Sequence, residues 1–251
     1  MDAAESIVRE TRPIVEAATA RGLSPRLKAD GSFVTEVDFA IEDLIRSRLH
    51  AAFPDHGIVG EERAARASEC GYEWTVDPID GTHSLKHGIP LYGTVLALMH
   101  DGKPIVGAIG LHGVDRIYVA ASGLGARCNG RSLRRINVES EVAIEHEIIA
   151  VGERKQFLKC GQSGVFDRLM RAHSSVRTYC DCFGHALAIE GAVGAMVDYN
   201  LRIWDVAATA VLIGEVGGRY VRINDAGGER HDVVFGKPAV VEWVLKVVDA
   251  P

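Results

Sequence analysis

The stretch Trp74-Thr75-Val76-Asp77-Pro78-Ile79-Asp80-Gly81-Thr82 holds two carboxylates three residues apart, just after a short apolar run. Pro78 fixes φ and Gly81 permits a tight turn, so the two aspartates are presented close together. Carboxylates held this near repel each other unless a positive group lies between them. A hard divalent cation such as Mg²⁺ answers that need, because it takes oxygen ligands in octahedral geometry. The bent backbone around Pro78 can also offer the Ile79 carbonyl as a ligand. Gly81-Thr82 then opens a turn of helix whose free N–H groups suit a phosphate.

Two further acidic features could complete such a site. Gly60-Glu61-Glu62 follows the apolar run Gly57-Ile58-Val59, which places a carboxylate at a strand end. Trp204-Asp205 stands at the start of an apolar helix over Val206–Val216, where the helix dipole favours negative charge and Asp205 could act as a cap aimed at a metal. Taken singly, each has an ordinary structural explanation. Asp-x-x-Asp-Gly is most often a turn, a Glu-Glu pair a solvated surface, and an Asp at a helix start an N-cap. Their specificity lies in occurring together.

Several elements must position these groups. Residues 2–21 carry Ile7, Ile14, Val15 and Ala18 on one helical stripe, ended by Gly22 and Pro25. A second helix starts at Thr35, with Asp38 three residues on as a capping-box variant, and Pro54 stops it. Short apolar runs follow at Trp74–Val76, Thr94–Met99, Ile105–Ile109 and Ile117–Ala121, with the turn Asp101-Gly102-Lys103-Pro104 between two of them. That texture predicts an antiparallel meander. Beyond about residue 140, strands at Ile148–Val151, Val176–Tyr179 and Ala195–Tyr199 alternate with helical stretches near 162–172, 184–192 and 205–216. The expected organisation is an N-terminal α+β half (1–140) bearing the acidic motifs and a C-terminal mixed α/β half (141–251) completing the site. The soft boundary lies in Arg131–Glu145.

Composition bounds the function. The 251 residues include 28 Lys+Arg and 34 Asp+Glu, a formal net charge of −6, which argues against a general nucleic-acid binder. No run approaches the ~20 apolar residues of a membrane span. The start lacks the basic and apolar regions of a secretory signal, and the five cysteines (Cys70, Cys128, Cys160, Cys180, Cys182) show no zinc spacing. A cytoplasmic protein with reduced thiols is expected. Gly123-x-Gly125 lacks the context of a dinucleotide fingerprint, and Arg131-Ser132-Leu133-Arg134-Arg135 reads as a solvated turn.

The order Gly60-Glu61-Glu62, Asp77-Pro78-Ile79-Asp80-Gly81-Thr82, Trp204-Asp205-Val206-Ala207-Ala208 resembles the inositol monophosphatase superfamily. Asp30–Asp38 resembles that family's first-metal loop, and Glu215-Val216-Gly217-Gly218 the end of its late helix. The resemblance implies an α+β fold, a layered α-β-α-β-α sandwich, usually dimeric. It implies Mg²⁺-dependent, often lithium-inhibited hydrolysis of a small-molecule phosphomonoester, with two or three ions per site. By motif position, one metal would sit on Glu61, Asp77 and the Ile79 carbonyl. A second would sit on Asp77, Asp80 and Asp205, and a third, weaker one would lean on Glu61. Thr82 paired with Asp38 would orient the attacking water, and the Gly81 and Thr82 N–H groups would hold phosphate oxygens.

Within the superfamily, Gly88-Ile89-Pro90-Leu91-Tyr92-Gly93-Thr94 and Cys180-Asp181-Cys182-Phe183-Gly184-His185-Ala186-Leu187 resemble the histidinol-phosphate phosphatase branch. His83, Leu85, Cys180 and Asn200–Ile203 depart from that branch, so inositol 1-phosphate and other polyol, aminocyclitol, sugar or nucleotide 3′-phosphates stay open. Gly184, His185 and Asp198 are the expected substrate contacts. His185 has an equal reading as a packing histidine, and His83 reads as an exposed side chain on a helical turn. A partner-binding regulatory role is the non-enzymatic alternative.

Overall fold

The computed structural model describes residues 1–29, 31–136, 143–224 and 228–249. Asp30 of the expected loop, and the expected 140/141 boundary, lie outside the described residues. The chain runs α1 (Asp2–Arg21), β1 (Arg26–Leu27), β2 (Phe33–Val34), α2 (Glu36–Ala52), β3 (Gly57–Gly60), β4 (Tyr72–Asp80), α3 (Thr82–Lys86) and β5 (Gly93–His100). It continues through β6 (Lys103–Leu111), β7 (Arg116–Ala121), β8 (Ala126–Cys128), β9 (Arg131–Ser132), β10 (Ile149–Val151), α4 (Arg154–Lys159) and α5 (Ser163–Ala172). The last elements are β11 (Val176–Thr178), α6 (Asp181–Ile189), β12 (Ala195–Leu201), α7 (Ile203–Glu215), β13 (Arg219–Arg222), β14 (His231–Gly236) and α8 (Pro238–Val248).

A seven-stranded sheet in the order β3-β4-β5-β6-β7-β8-β9 forms the expected meander. Only its edge pair, β3 with β4, is parallel. A five-stranded sheet in the order β11-β10-β12-β14-β13 mixes parallel and antiparallel pairs. Helices α1 and α2 cover the outer face of the first sheet, α6 and α7 lie between the sheets, and α4, α5 and α8 cover the second. This is the expected α-β-α-β-α layering. Three apolar clusters fill the four gaps between layers, one of them on both sides of α6 and α7.

The central helix α7 touches both sheets because its sequence is apolar nearly all round, burying Val206, Ala207, Ala208, Val211, Leu212 and Ile213. Its fit is tight. A Cβ at Gly107 of β6 would stand 2.5 Å from the Ala208 carbonyl oxygen, so glycine is what lets helix and sheet meet. At its end, Glu215 accepts from the N–H groups of Gly123 and Gly125 at 2.8 and 2.7 Å, tying the late helix to the β7–β8 turn.

The acidic strand differs from expectation. The sequence marks only the short apolar run Trp74–Val76 ahead of the two carboxylates. Instead β4 runs through Asp80, and the ladder to β5 shifts register there, with Asp77 opposite Val95 and Asp80 opposite Gly93. Pro78 and Ile79 together oppose Thr94, so the proline sits in a bulge, where no ladder donor is required of it. The helix expected from 205 begins at Ile203, so Asp205 is its third residue rather than its cap. The helix expected from 184 begins at Asp181. Arg131-Ser132, expected in a turn, forms the short exposed edge strand β9.

Candidate active site

Carboxylates from four elements meet at one cleft of about 720 Å³. Asp77, Ile79 and Asp80 come from the bulged end of β4, Gly81 and Thr82 from the turn into α3, Glu61 from the loop after β3, and Asp205 from the first turn of α7. Asp181, at the start of α6, lines the same space. Gly81 has φ +89, and a Cβ there would meet the Leu91 carbonyl oxygen at 2.9 Å and Asp181 Oδ2 at 3.1 Å. Both its left-handed backbone and this crowding require glycine.

Each side chain is held by local chemistry. Thr35 caps α2 with Asp38 as its capping-box partner, as expected, the Asp38 Oδ2 accepting from the Thr35 N–H at 2.8 Å and the Thr35 hydroxyl at 2.6 Å. The other Asp38 oxygen, Oδ1, stands 3.2 Å from the Thr82 hydroxyl, whose one hydrogen goes either there or to the Ile79 carbonyl at 2.9 Å. Asp205 Oδ2 accepts from the Arg202 N–H at 2.7 Å, and Asp80 Oδ2 from the Cys182 N–H at 2.6 Å.

The assembled charge is strongly acidic. Burial pushes Asp77 well above the usual carboxylate range, and Glu61, Asp80 and Asp205 add repulsion. Burial, then Asp181 and Asp205, raise Asp80, against the opposing Cys182 N–H. Burial and Glu61 push Asp205 up to about 7, and its carboxylate lies in hydrogen-bonding contact with Asp77. Burial, with Asp198 and Glu153, pushes Asp181 up to about 7. Asp77 is 2% exposed, and its Oδ1 has no hydrogen-bond partner among the described residues. An orphaned buried oxygen amid mutually repelling carboxylates, with a bulge carbonyl beside them, fits a hard divalent cation. Among the described residues no three Asp, Glu, His or Cys side chains already stand around one point as a finished cage. Glu61 is instead turned to Lys28 Nζ at 2.8 Å, so an ion held there would have to displace the lysine.

Of the expected site residues, Glu61, Asp77, Ile79, Asp80, Gly81, Thr82, His185 and Asp205 line this cleft, and Asp38 stands behind Thr82. Gly184 and Asp198 do not line it. Gly184 is pressed against the Tyr179 carbonyl, where a Cβ would come to 2.1 Å, and its N–H donates to Cys180 O. Asp198 is 3% exposed, with Oδ2 facing His185 Nε2 at 3.6 Å. His185 is buried, as its packing reading expects. It packs edge-on to Phe235 and bonds Thr209 through Nδ1 at 2.8 Å, yet it is part of the cleft wall. His83 also lines the cleft and stacks on Phe33 of β2, with ring centroids 5.7 Å apart.

Two residues escaped the sequence reading. Lys28, on the β1–β2 flap, pairs with Glu61 and Glu62. Burial opposes its charge, but the two glutamates outweigh burial and hold it above the ordinary lysine range. Asp181 adopts φ +59, a left-handed backbone that an aspartate tolerates better than most residues. Its only sequence signal was the Cys-Asp-Cys stretch.

A sequence profile described as the Inositol monophosphatase family matches residues 1–246. A protein of Chlorobaculum parvum named histidinol-phosphatase is 35% identical over 198 residues, covering 79% of this chain and 75% of that one. A protein of Mesorhizobium japonicum named inositol-1-monophosphatase is 32% identical over 240 residues, covering 92% of this chain and 88% of that one. A solved structure described as an IMPase/NADP phosphatase complexed with Mg²⁺ and phosphate superposes with a TM-score of 0.84 at 24% identity, covering 98% of this chain and 93% of that one. The chain belongs to the inositol monophosphatase family and is a phosphoric monoester hydrolase.

Proposed function

We propose that the cleft hydrolyses a small phosphate ester with Mg²⁺ held by Glu61, Asp77, the Ile79 carbonyl, Asp80 and Asp205. The observation that carries this is the partnerless Asp77 Oδ1 among buried carboxylates, next to the Thr82–Asp38 pair. When bound, Mg²⁺ supplies charge neutralisation at the phosphate and a more acidic water. Two or three ions per site, lithium sensitivity and a homodimer belong to the same proposal. Mg²⁺ titration, a lithium series and sedimentation check them in turn.

The chain's own groups do the positioning. The single hydrogen of the Thr82 hydroxyl goes to Ile79 O or Asp38 Oδ1. Its free lone pairs therefore accept a hydrogen from the attacking water and turn that water's remaining lone pair toward phosphorus. The N–H groups of Gly81 and Thr82 face the phosphate oxygens in this reading. Asp38 is raised first by burial, with Thr35 opposing, and stays fixed as acceptor by its two bonds to Thr35.

For the substrate we favour histidinol phosphate. Asp181 and Glu153 line the cleft and Asp198 lies behind His185, giving the wall beside Asp80 an acidic character suited to an ammonium group. The likeness to the histidinol-phosphatase of Chlorobaculum parvum supports the same choice. A second reading, a sugar or polyol ester with a further anionic group, is favoured by Lys155, Lys159 and Arg230 in the same lining. Phosphate release across histidinol phosphate, inositol 1-phosphate, fructose 1,6-bisphosphate and adenosine 3′,5′-bisphosphate decides between them. A lead for histidinol phosphate of about a hundredfold in kcat/KM, about 2.7 kcal/mol, names the first reading. A lead for a bisphosphate names the second. Mg²⁺ binding with no release from any of them would turn the account toward a partner-binding role.

A further inference from the structure

The bulge that carries the acidic strand is braced from behind. Pro78 and Ile79 oppose Thr94, and no ladder partner is paired with the Pro78 position. The Thr94 hydroxyl supplies the missing donor, giving its hydrogen to the Pro78 carbonyl at 2.8 Å. Thr94 is 0% exposed, so this bond is closed to water.

Behind Thr94 lie two more buried polar groups, Thr11 of α1 and His112 after β6. The Thr11 hydroxyl gives its own hydrogen to Val8 O at 2.8 Å. The two threonine oxygens stand 3.2 Å apart with both hydrogens already committed. His112 Nε2 lies 2.9 Å from Thr94 Oγ1 and 3.3 Å from Thr11 Oγ1. A hydroxyl has one hydrogen, so the remaining donor must be the imidazole, shared between both oxygens as Nε2–H. Burial, with Arg12 nearby, pushes His112 down to about 4, which keeps the ring neutral. Glu16 and the Tyr92 ring are its other neighbours. The order of donation is then fixed, from His112 to Thr94 to Pro78 O.

We infer that Thr94, oriented by His112 and Thr11, is a positioning residue that holds the Pro78 carbonyl away from the cleft and so aims the next carbonyl, Ile79 O, and the flanking Asp77 and Asp80 at the cation. The Pro78 carbonyl is tied to Thr94 on the β5 side, while Ile79 lines the cleft and its carbonyl stands 2.9 Å from the Thr82 hydroxyl there. Fixing the Pro78 peptide plane constrains the plane that follows it. The inference rests on reading Asp77, Ile79 and Asp80 as metal ligands, and it makes α1, on the far face of the sheet, part of the site's support.

The test is Mg²⁺ binding by titration calorimetry to the full chain, beside thermal melts, for wild type, Thr94→Val and Thr94→Ser. Valine keeps the shape and removes the hydroxyl, whereas serine keeps the hydroxyl. The expected result is Mg²⁺ binding weaker by about tenfold to a hundredfold in Thr94→Val, the size of effect usual for groups behind metal ligands, with recovery in Thr94→Ser. A folded Thr94→Val that binds Mg²⁺ as wild type does overturns the inference. So does equal weakening in Thr94→Ser, since that would make the effect one of packing. Should Thr94→Val fail to fold, His112→Leu against His112→Gln decides by the same readout, because glutamine retains an N–H donor and leucine does not. A wild type that binds no Mg²⁺ overturns the reading of the site, and the inference falls with it.

Discussion

The backbone N–H of Cys182 donates to Asp80 Oδ2 at 2.6 Å, fastening the acidic strand of the first sheet to the helix between the sheets. Cys182 also directs its thiol toward the Asp80 carbonyl oxygen, at 3.8 Å. One oxygen of Asp80 is therefore committed to the protein and the other is left for the cleft. Asp205 shows the same division, with Oδ2 on the Arg202 N–H. The fold thus spends backbone donors to hold like charges together, and that cost has consequences.

Removing one charge should stabilise the metal-free protein. Asp80→Asn keeps an acceptor for the Cys182 N–H and removes repulsion from Asp181 and Asp205. A gain of about 1 kcal/mol, roughly 2–4 °C in Tm for a chain of this size, is expected in EDTA. A melt that drops instead would show that the Asp80 charge is compensated within the protein.

The pH dependence follows from the same raised carboxyls. Asp205 rises from an ordinary value near 3.8 to about 7, and Asp77 and Asp80 rise in the same direction. Between those two values the folded chain binds more protons than the unfolded one, so stability is full below about pH 4 for these groups and falls as pH climbs to about 7. Mg²⁺ competes with those protons, so its stabilisation should grow across the same window. Melts at pH 5, 6, 7 and 8 with EDTA and with Mg²⁺ check both trends. An Mg²⁺ increment that shrinks with rising pH contradicts the assignment.

Thr82→Ala should separate water positioning from ion binding. The hydroxyl bonds Asp38 and Ile79 O and leaves Asp77, Asp80 and Asp205 where they are. A fall in kcat of about a hundredfold to a thousandfold is expected, with the Mg²⁺ requirement changed by less than about threefold. Kinetics at several Mg²⁺ concentrations distinguish this from a loss of metal.

Lys28→Met tests the exchange of cations at Glu61. Lys28 occupies Glu61 and Glu62, and burial together with Glu61 raises Glu62 to about 7 even against the lysine. Without the lysine the glutamates are freed, and half-saturation by Mg²⁺ should fall several-fold, on the order of 1 kcal/mol. Unchanged Mg²⁺ dependence would show that Lys28 and the ion do not compete.

The parts of this site legible in the sequence were those written in short spacing. Asp77, Asp80, Gly81 and Thr82 share one stretch, and the Thr35–Asp38 cap follows from two residues three apart. The meander could be read because its strands are adjacent in sequence and turn chemistry marks their ends. The run of β4 through Pro78 to Asp80 has no local signal, since the bulge that accommodates the proline depends on Thr94 of the next strand. Lys28, Asp181 and the His112–Thr94 relay stayed hidden for the same reason. Each acts through partners far away in the chain, and no local periodicity encodes such contacts. Asp198, expected as a substrate contact, is buried against Gly152, where a Cβ would come within 2.0 Å of its Oδ1.

The most direct test is phosphate release from histidinol phosphate by wild type and Asp80→Asn, each with Mg²⁺ and with EDTA. The account predicts release by wild type with Mg²⁺ alone, and a loss on the order of a thousandfold in the variant, about 4 kcal/mol of barrier. Near-wild-type release by a folded Asp80→Asn, or release that survives EDTA, would contradict the carboxylate cleft as the seat of metal-dependent hydrolysis.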